Sequence, residues 1–446
     1  MTVKSSIAEV NLDIDPEARS IALEIDPDTP FRILLMGAFS GTSAATAKPF
    51  EIDRDNFDQV LAKLSPEFAG LHFREIDDFG PDAIFGQKAF AALREAVRTQ
   101  PPATPAPATP APTAPPERPP VRPGMSLLDS MLEDADPTPA PLPPVRRGGM
   151  EGVVESIVAK YRLKPEDPAI ARRQADADAE ASECMRAILH APAFQALEAA
   201  WRSVFQLVRA VETGTQLRIY LLDLAKPQLA EALAGGTLLN LLTRGEPWSV
   251  VAGNYAFTQS PEDAALLTKL AAVMSAAGAP FLAEADPAAG GDPAPWHAFR
   301  QSPAARYLGL AMPRILLRLP YGKKTQKAER FDFEEMPGVP DHQHYLWGNP
   351  AFACVQLLAE AFSRDGWEMR VGSNLEVAGL PLHLYEDGGE KLLKPCAEML
   401  LTEKDIEWIL DQGYIAMASV RDRDAVRLIR FQSLADPPAR LAGRWE

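Results

Sequence analysis

Four features of the chain carry residue types that could do chemistry. Tyr321-Gly322-Lys323-Lys324-Thr325 ends like a phosphate-binding loop, in which backbone N–H groups cradle phosphate oxygens and a lysine neutralises them. That loop needs a glycine five positions before Gly322, where Leu317 stands, and Ser or Thr directly after the first lysine, where Lys324 stands. The expectation is a conformational loop after a strand. Asp341-His342-Gln343-His344 sets two imidazoles two apart, with no cysteine or third histidine near in sequence. A polar surface or loop role suits it better than a metal site. Asp77-Asp78 resembles an acid pair, but without a partner motif it reads as a solvated turn or helix cap. Cys184, Cys354 and Cys396 are odd in number and widely separated, which fits a reducing compartment and neither a disulfide framework nor a zinc site. No Gly-x-Ser-x-Gly elbow occurs. No enzyme activity, cofactor or metal is expected.

The chain must therefore act through its surfaces. Its 446 residues exceed one ordinary domain, and 46% hydrophobic residues suffice for sizeable cores. A net charge of −16 argues against nucleic acid or an anionic membrane as partner, since phosphate binding needs clustered Lys and Arg. Met1-Thr2-Val3-Lys4-Ser5 lacks an apolar signal core, and no run of about 18 apolar residues occurs. A soluble cytoplasmic protein is expected.

Strand and helix patterns alternate, which implies α/β layers. Val10 to Ile25 alternates weakly, as two short strands around Asp15-Pro16 would. Phe31 to Gly37 is a continuous apolar run, the mark of a buried strand. Phe57, Val60, Leu61 and Leu64 have helical spacing, Leu71 to Ile76 reads as a strand, and Phe90, Leu93 and Val97 mark a helix. Further on, Phe194, Leu197, Trp201, Val204, Phe205, Val208 and Val211 form the clearest amphipathic helix. Strands follow at 217–224 and 248–253, a helix from Leu266 to Phe281, and strands at 308–312 and 315–319. A helix from Phe352 to Phe362, a strand at 382–385, a helix around Ile406 and a strand at 426–431 complete the reading.

Between these halves lies a spacer. Of 42 prolines, 16 fall between Pro101 and Pro144, a composition that favours extended polyproline II. At ~3.1 Å per residue such a tether spans on the order of 100 Å, enough for the halves to pair within one chain or with a neighbour. One island interrupts it: Ser126 is a plausible N-cap, with Leu127, Leu128, Met131 and Leu132 on one face through Glu133. A helix this short needs a surface to fold against.

Two sets of motifs carry a family resemblance. Ile33-Leu34-Leu35-Met36-Gly37-Ala38-Phe39-Ser40-Gly41, Glu51-Ile52-Asp53-Arg54-Asp55-Asn56-Phe57 and Asp77-Asp78-Phe79-Gly80-Pro81-Asp82 resemble the small sheath subunit of type VI secretion systems. Leu197-Glu198-Ala199-Ala200-Trp201-Arg202, Pro313-Arg314-Ile315-Leu316, Arg318-Leu319-Pro320-Tyr321-Gly322, Tyr345-Leu346-Trp347-Gly348-Asn349 and Gln432-Ser433-Leu434 resemble the large subunit. The resemblance implies a natural fusion: a small-subunit-like domain over 1–100, a linker over 101–148 with its short helix at 126–133, and a large-subunit-like domain over 149–446. The two would pack as one mixed α/β body. It also implies that the large-subunit-like part lacks the family's C-terminal subdomain, so that a neighbour's strand is accepted but the contact is not passed on.

The resemblance implies a non-enzymatic, sheath-like protomer, and more specifically a cap, baseplate adaptor or assembly regulator. A bulk contractile sheath subunit around the inner tube is the alternative in the same class. From another class comes a binding module that recruits the hexameric AAA+ unfoldase which recycles sheaths, through Leu127, Leu128, Met131 and Leu132. The same island could instead pack on its own globular domain. Implied partners are sheath subunits, with the inner tube protein, baseplate and unfoldase as further candidates, and neither nucleic acid nor membrane.

Overall fold

A computed structural model describes residues 26–41, 48–99, 168–287 and 293–445. They fall into two units. Residues 1–94 with 180–446 form one, and residues 95–179 form the other, described only at its two helical ends.

The first unit is built on strands β1 (Phe31–Gly37), β2 (Phe50–Ile52), the short β3 (Glu67–Phe68) and β4 (Leu71–His72), β5 (Leu217–Asp223), β6 (Val250–Phe257), β7 (Phe281–Ala285) and β8 (Leu308–Met312). Then come β9 (Ile315–Leu316), β10 (Trp347–Gly348), β11 (Glu376–Ala378), β12 (His383–Asp387), β13 (Glu390–Lys394), β14 (Ile415–Ser419) and β15 (Ala425–Leu428). Nine of them make one sheet in the order β11-β15-β14-β8-β7-β6-β1-β5-β2. From β14 to β5 every neighbouring pair is parallel, and β2, β15 and β11 add antiparallel edges. Mixed α/β architecture is thus what the chain adopts.

Parallel strands covered on both faces must be apolar throughout, and β1 is. Phe31, Ile33 and Leu35 enter the core on one face, together with Trp201, Val204, Phe352 and Val355. Leu34 and Met36 enter the core on the other, together with Leu267, Leu270 and Met274. The helices behind these residues are Pro192–Ala210 and Ala351–Asp365 on the first side and Pro261–Ala277 on the second. Their starts follow local rules. Proline stands at the first turn of Pro192–Ala210 and Pro261–Ala277, and Ser260 caps the latter by accepting the Asp263 N–H.

β1 precedes the proline spacer, and both its neighbours follow it. It pairs with β5 from Phe31↔Leu217 to Gly37↔Asp223, and with β6 from Ile33↔Val250 to Met36↔Gly253.

Several elements depart from the sequence reading. The helix expected from Leu266 to Phe281 ends at Ala277, because Gly278 takes a left-handed φ of 65° and Phe281 opens β7. The strand expected over Leu71 to Ile76 stops at His72, and Ile76 begins a 3-10 turn, Ile76–Phe79. Helices Lys226–Ala234 and Thr237–Thr243 and strand β14 were not expected. The expected strands between Val10 and Ile25 lie outside the described residues. No described helix is long and apolar enough to cross a membrane.

Candidate functional site

The motifs that carry the resemblance converge on the Pro192–Ala210 helix. On its pre-spacer side, Trp201 donates its indole N–H to the Phe39 carbonyl at 2.8 Å. Phe39 and Phe57 meet the Trp201 ring edge-on at 5.7 and 5.8 Å, and Phe57 also meets Phe205. Asp223, at the end of β5, accepts the Phe39 and Ser40 N–H groups at 2.7 and 3.2 Å, which fixes the turn after β1.

On the other side lies a buried ionic cluster. Arg318 is 7% exposed, Glu198 0% and Glu335 1%. The Arg318 guanidinium donates Nε to Glu198 Oε1 at 2.7 Å, Nη1 to Glu335 Oε2 at 2.7 Å, and Nη2 to both carboxylates at 3.1–3.2 Å. Arg202, one helical turn beyond Glu198, donates Nε to Glu198 Oε1 at 2.7 Å and Nη2 to the Tyr321 hydroxyl at 2.9 Å. The Tyr321 N–H closes the ring on Glu335 at 2.8 Å, and the Arg318 guanidinium lies 4.3 Å from the Tyr321 ring centre. Two guanidiniums thus balance two carboxylates. Burial pushes the Glu335 carboxyl upward, but the Arg318 charge, His190 and the hydrogen bonds from Arg318 and the Tyr321 backbone hold it down at about 2. Burial works against Arg318, and the two carboxylates still hold its pKa well above the ordinary guanidinium value. Neither group is poised to exchange a proton near neutrality, so the cluster works as a clamp joining the Pro192–Ala210 helix to the 318–335 segment.

The loop that resembled a phosphate cradle is filled by the protein's own acids. Glu334 accepts the Lys323 N–H at 3.0 Å, and a Cβ on Gly322 would sit 2.1 Å from Glu334 Oε2. Lys323 pairs with Asp332 at 2.8 Å, so a phosphate would meet carboxylates there. His342 and His344 part company. The His344 ring stacks on His190 at 3.8 Å, while His342 Nδ1 accepts from Lys394 Nζ at 2.7 Å. Burial and then the Lys394 charge lower the His342 pKa, which keeps it a neutral acceptor. Asp77 and Asp78 lie in the 3-10 turn, where Asp78 accepts the Arg74 and Glu75 N–H groups at 2.6 and 3.2 Å, as a cap does. All three cysteines are buried free thiols, and burial raises the pKa of each.

Beside the clamp opens a cleft of about 280 Å³, lined among others by Gln195, Arg314, His342, Tyr345, Trp347 and Glu398. Arg314 grips Glu398 bidentately at 2.9 and 2.6 Å. Glu284, 3.9 Å from Arg314, is nonetheless pushed up by burial to about 7. Asn349 ties this region to the sheet, donating Nδ2 to the Gly253 and Tyr255 carbonyls of β6 and accepting the Ala351 N–H. A cleft with an aromatic wall and a fixed ion pair can receive side chains of a partner. Glu335 and Glu398, which complete the two clusters, had no sequence motif to mark them. The expected partner-binding residues Leu127, Leu128, Met131 and Leu132 lie outside the described residues.

Residues 172–240, 242–292 and 289–435 match the model of the VipB family, described as EvpB/VC_A0108, tail sheath N-terminal domain. Over 300 residues the chain is 33% identical to the type VI secretion system sheath protein TssC1 of Pseudomonas aeruginosa, an alignment covering 58% of this chain. It spans 60% of that protein's length.

Proposed function

We propose that this chain, which belongs to the VipB family of tail sheath proteins, is a non-catalytic structural component of a type VI secretion contractile sheath, with small- and large-subunit parts fused in one protomer. The observation that carries this reading is the position of β1. The family-matched region supplies β5 and β6, and residues 31–37, outside that region, fill the place between them. In this reading residues 31–37 are the small-subunit part's contribution to the sheet. The Trp201 anchor and the turn held by Asp223 join the same two stretches.

Within this class the reading extends to a specialised place in the assembly, as a cap, baseplate adaptor or assembly regulator, with sheath subunits as partners. The short edges of the large sheet favour it: β2 and β11 have three residues each and offer few backbone groups for strand addition. Negative-stain electron microscopy of the purified full chain, alone and mixed with ordinary small and large sheath subunits, tests both levels. Binding at one end of sheaths made by the others, without tubes alone, is the expected result. Long tubes from this chain alone would make it a bulk sheath subunit. No association with sheaths under any condition would remove the sheath reading.

A further inference from the structure

Four of the chain's six histidines, His190, His342, His344 and His383, gather about the turn His342–His344 and the Tyr345 that follows it. Charge changes in mildly acid solution therefore concentrate in this part of the molecule. What hangs on it is the hairpin of β12 and β13. These strands pair only with each other, and none of their residues joins a hydrophobic core. An isolated two-stranded hairpin is marginal in water, so this one depends on what holds it to the body.

Among the described residues two hydrogen bonds do so, and each ends on an imidazole. Lys394 Nζ lies 2.7 Å from His342 Nδ1, and the Tyr345 hydroxyl lies 2.7 Å from His383 Nδ1. Lys394 also rests 5.2 and 5.5 Å from the Tyr345 and Trp347 ring centres, over the aromatic wall of the cleft. A further ion pair, Lys324 with Glu386 at 3.9 Å, joins two exposed side chains and holds little.

An ammonium group has donors and no acceptor, so His342 Nδ1 must keep its lone pair for the Lys394 contact to exist. A proton there removes the acceptor and sets two cations 2.7 Å apart. The other charges facing His342 do not compensate: Glu398 lies 3.8 Å from its Nε2 but is already gripped by Arg314, itself a cation. Burial lowers the His383 pKa, and burial and then the His190 charge lower that of His344. Asp341 and Glu335 act in the opposite sense on His344, and Glu335 also lies 3.6 Å from His190 Nε2. His342, His344 and His383 thus hold fewer protons than free imidazoles do. Their contribution to the attached arrangement is complete above the ordinary imidazole value of ~6.5 and is lost as pH falls below it. Glu284, 3.9 Å from Arg314, has the opposite sign, because a carboxyl raised to about 7 favours the folded state as pH falls.

We propose that the β12–β13 hairpin is an acid-released flap: a proton on His342 breaks its hold on Lys394, the hairpin lifts, and the Tyr345–Trp347 wall of the cleft is uncovered.

Amide hydrogen exchange of the full chain at pH 7.5 and 5.5, corrected for the intrinsic pH dependence of exchange, reads the hairpin directly. Protection across residues 383–394 should fall at least tenfold at the lower pH, while β1 and β5 keep theirs. His342→Gln supplies a carbonyl that accepts from Lys394 and does not titrate, so its hairpin should stay protected at both pH values. Lys394→Ala cuts the same contact from the other side and should leave the hairpin unprotected at both. His342 is 46% exposed, so the fold is expected to persist, with the urea midpoint as the check. Glu284→Gln should leave the acid response in place. Equal protection of the unaltered hairpin at both pH values overturns the proposal, as does an acid loss that survives in His342→Gln. Full protection of Lys394→Ala at pH 7.5 overturns it too. A loss shared by β1 and β5 would be general unfolding, and a response abolished by Glu284→Gln would belong to the carboxylate; either result removes the flap.

Discussion

Glu198 and Glu335 share one guanidinium, and their burial makes that sharing decisive. Each carboxylate is buried and Arg318 donates to both, with Arg202 adding a second cation at Glu198. Removing Arg318 does more than delete favourable contacts; it leaves two desolvated charges beside one remaining arginine. Arg318→Met, which keeps the length of the side chain, should lower stability by about 3–5 kcal/mol, read from the urea midpoint at pH 7. The pH dependence follows from the same contacts. The folded Glu335 carboxyl is held at about 2, below its ordinary value of 4.5, so the folded state binds fewer protons. Its contribution is complete above pH 4.5 and is lost as pH falls from there toward 2. Urea midpoints measured between pH 5 and pH 2.5 should drop steeply for the unaltered chain and less steeply for Arg318→Met. Parallel slopes would detach Glu335 from Arg318.

At the scale of elements, the Pro192–Ala210 helix decides most, because both halves of the chain lean on it. Trp201 is its centre, fully buried, with Phe39 and Phe57 on its ring and the Phe39 carbonyl on its N–H. Trp201→Ala should cost about 3–5 kcal/mol as a cavity opens and a carbonyl loses its donor, with the loss seen in the thermal midpoint. Trp201→Phe should cost less, since it keeps most of the volume. This helix was legible from sequence because its apolar residues recur at 3.6-residue spacing over most of its length. The 31–37 strand was legible because a short continuous apolar run suits a strand covered on both faces. What could not be read is as instructive. Lys226–Ala234 and Thr237–Thr243 have nine and seven residues, too few for a helical period to stand out, and the Gly278 turn is invisible to a hydrophobic period that runs straight through it to Phe281. The cluster was half legible. Glu198, Arg202, Arg318 and Tyr321 stand in recognisable motifs, whereas Glu335 joins them only because the chain folds back 17 residues later to meet Arg318.

At the scale of the whole molecule, the described residues before and after the spacer share one sheet through β1. Phe31, Ile33, Leu34, Leu35 and Met36 are each 0% exposed. At about 2 kcal/mol per buried side chain they alone contribute on the order of 10 kcal/mol of apolar burial, before Phe39, Phe57 and the backbone ladders are considered. Withdrawing β1 would also leave unpaired N–H and C=O groups on β5 and β6 in the middle of a sheet. Association of separate pieces carries an entropic cost of about 4–15 kcal/mol, comparable to the five side chains but smaller than the full interface. A protease site inserted between Ala111 and Thr113 and then cut should therefore yield two fragments that co-elute in gel filtration at micromolar concentration and separate only in denaturant. Their unfolding midpoint should become concentration-dependent, as it must once the strand is a second molecule. Fragments that part without denaturant would mean that β1 is held by its tether and not by the sheet, and the fused-protomer reading would fall with it.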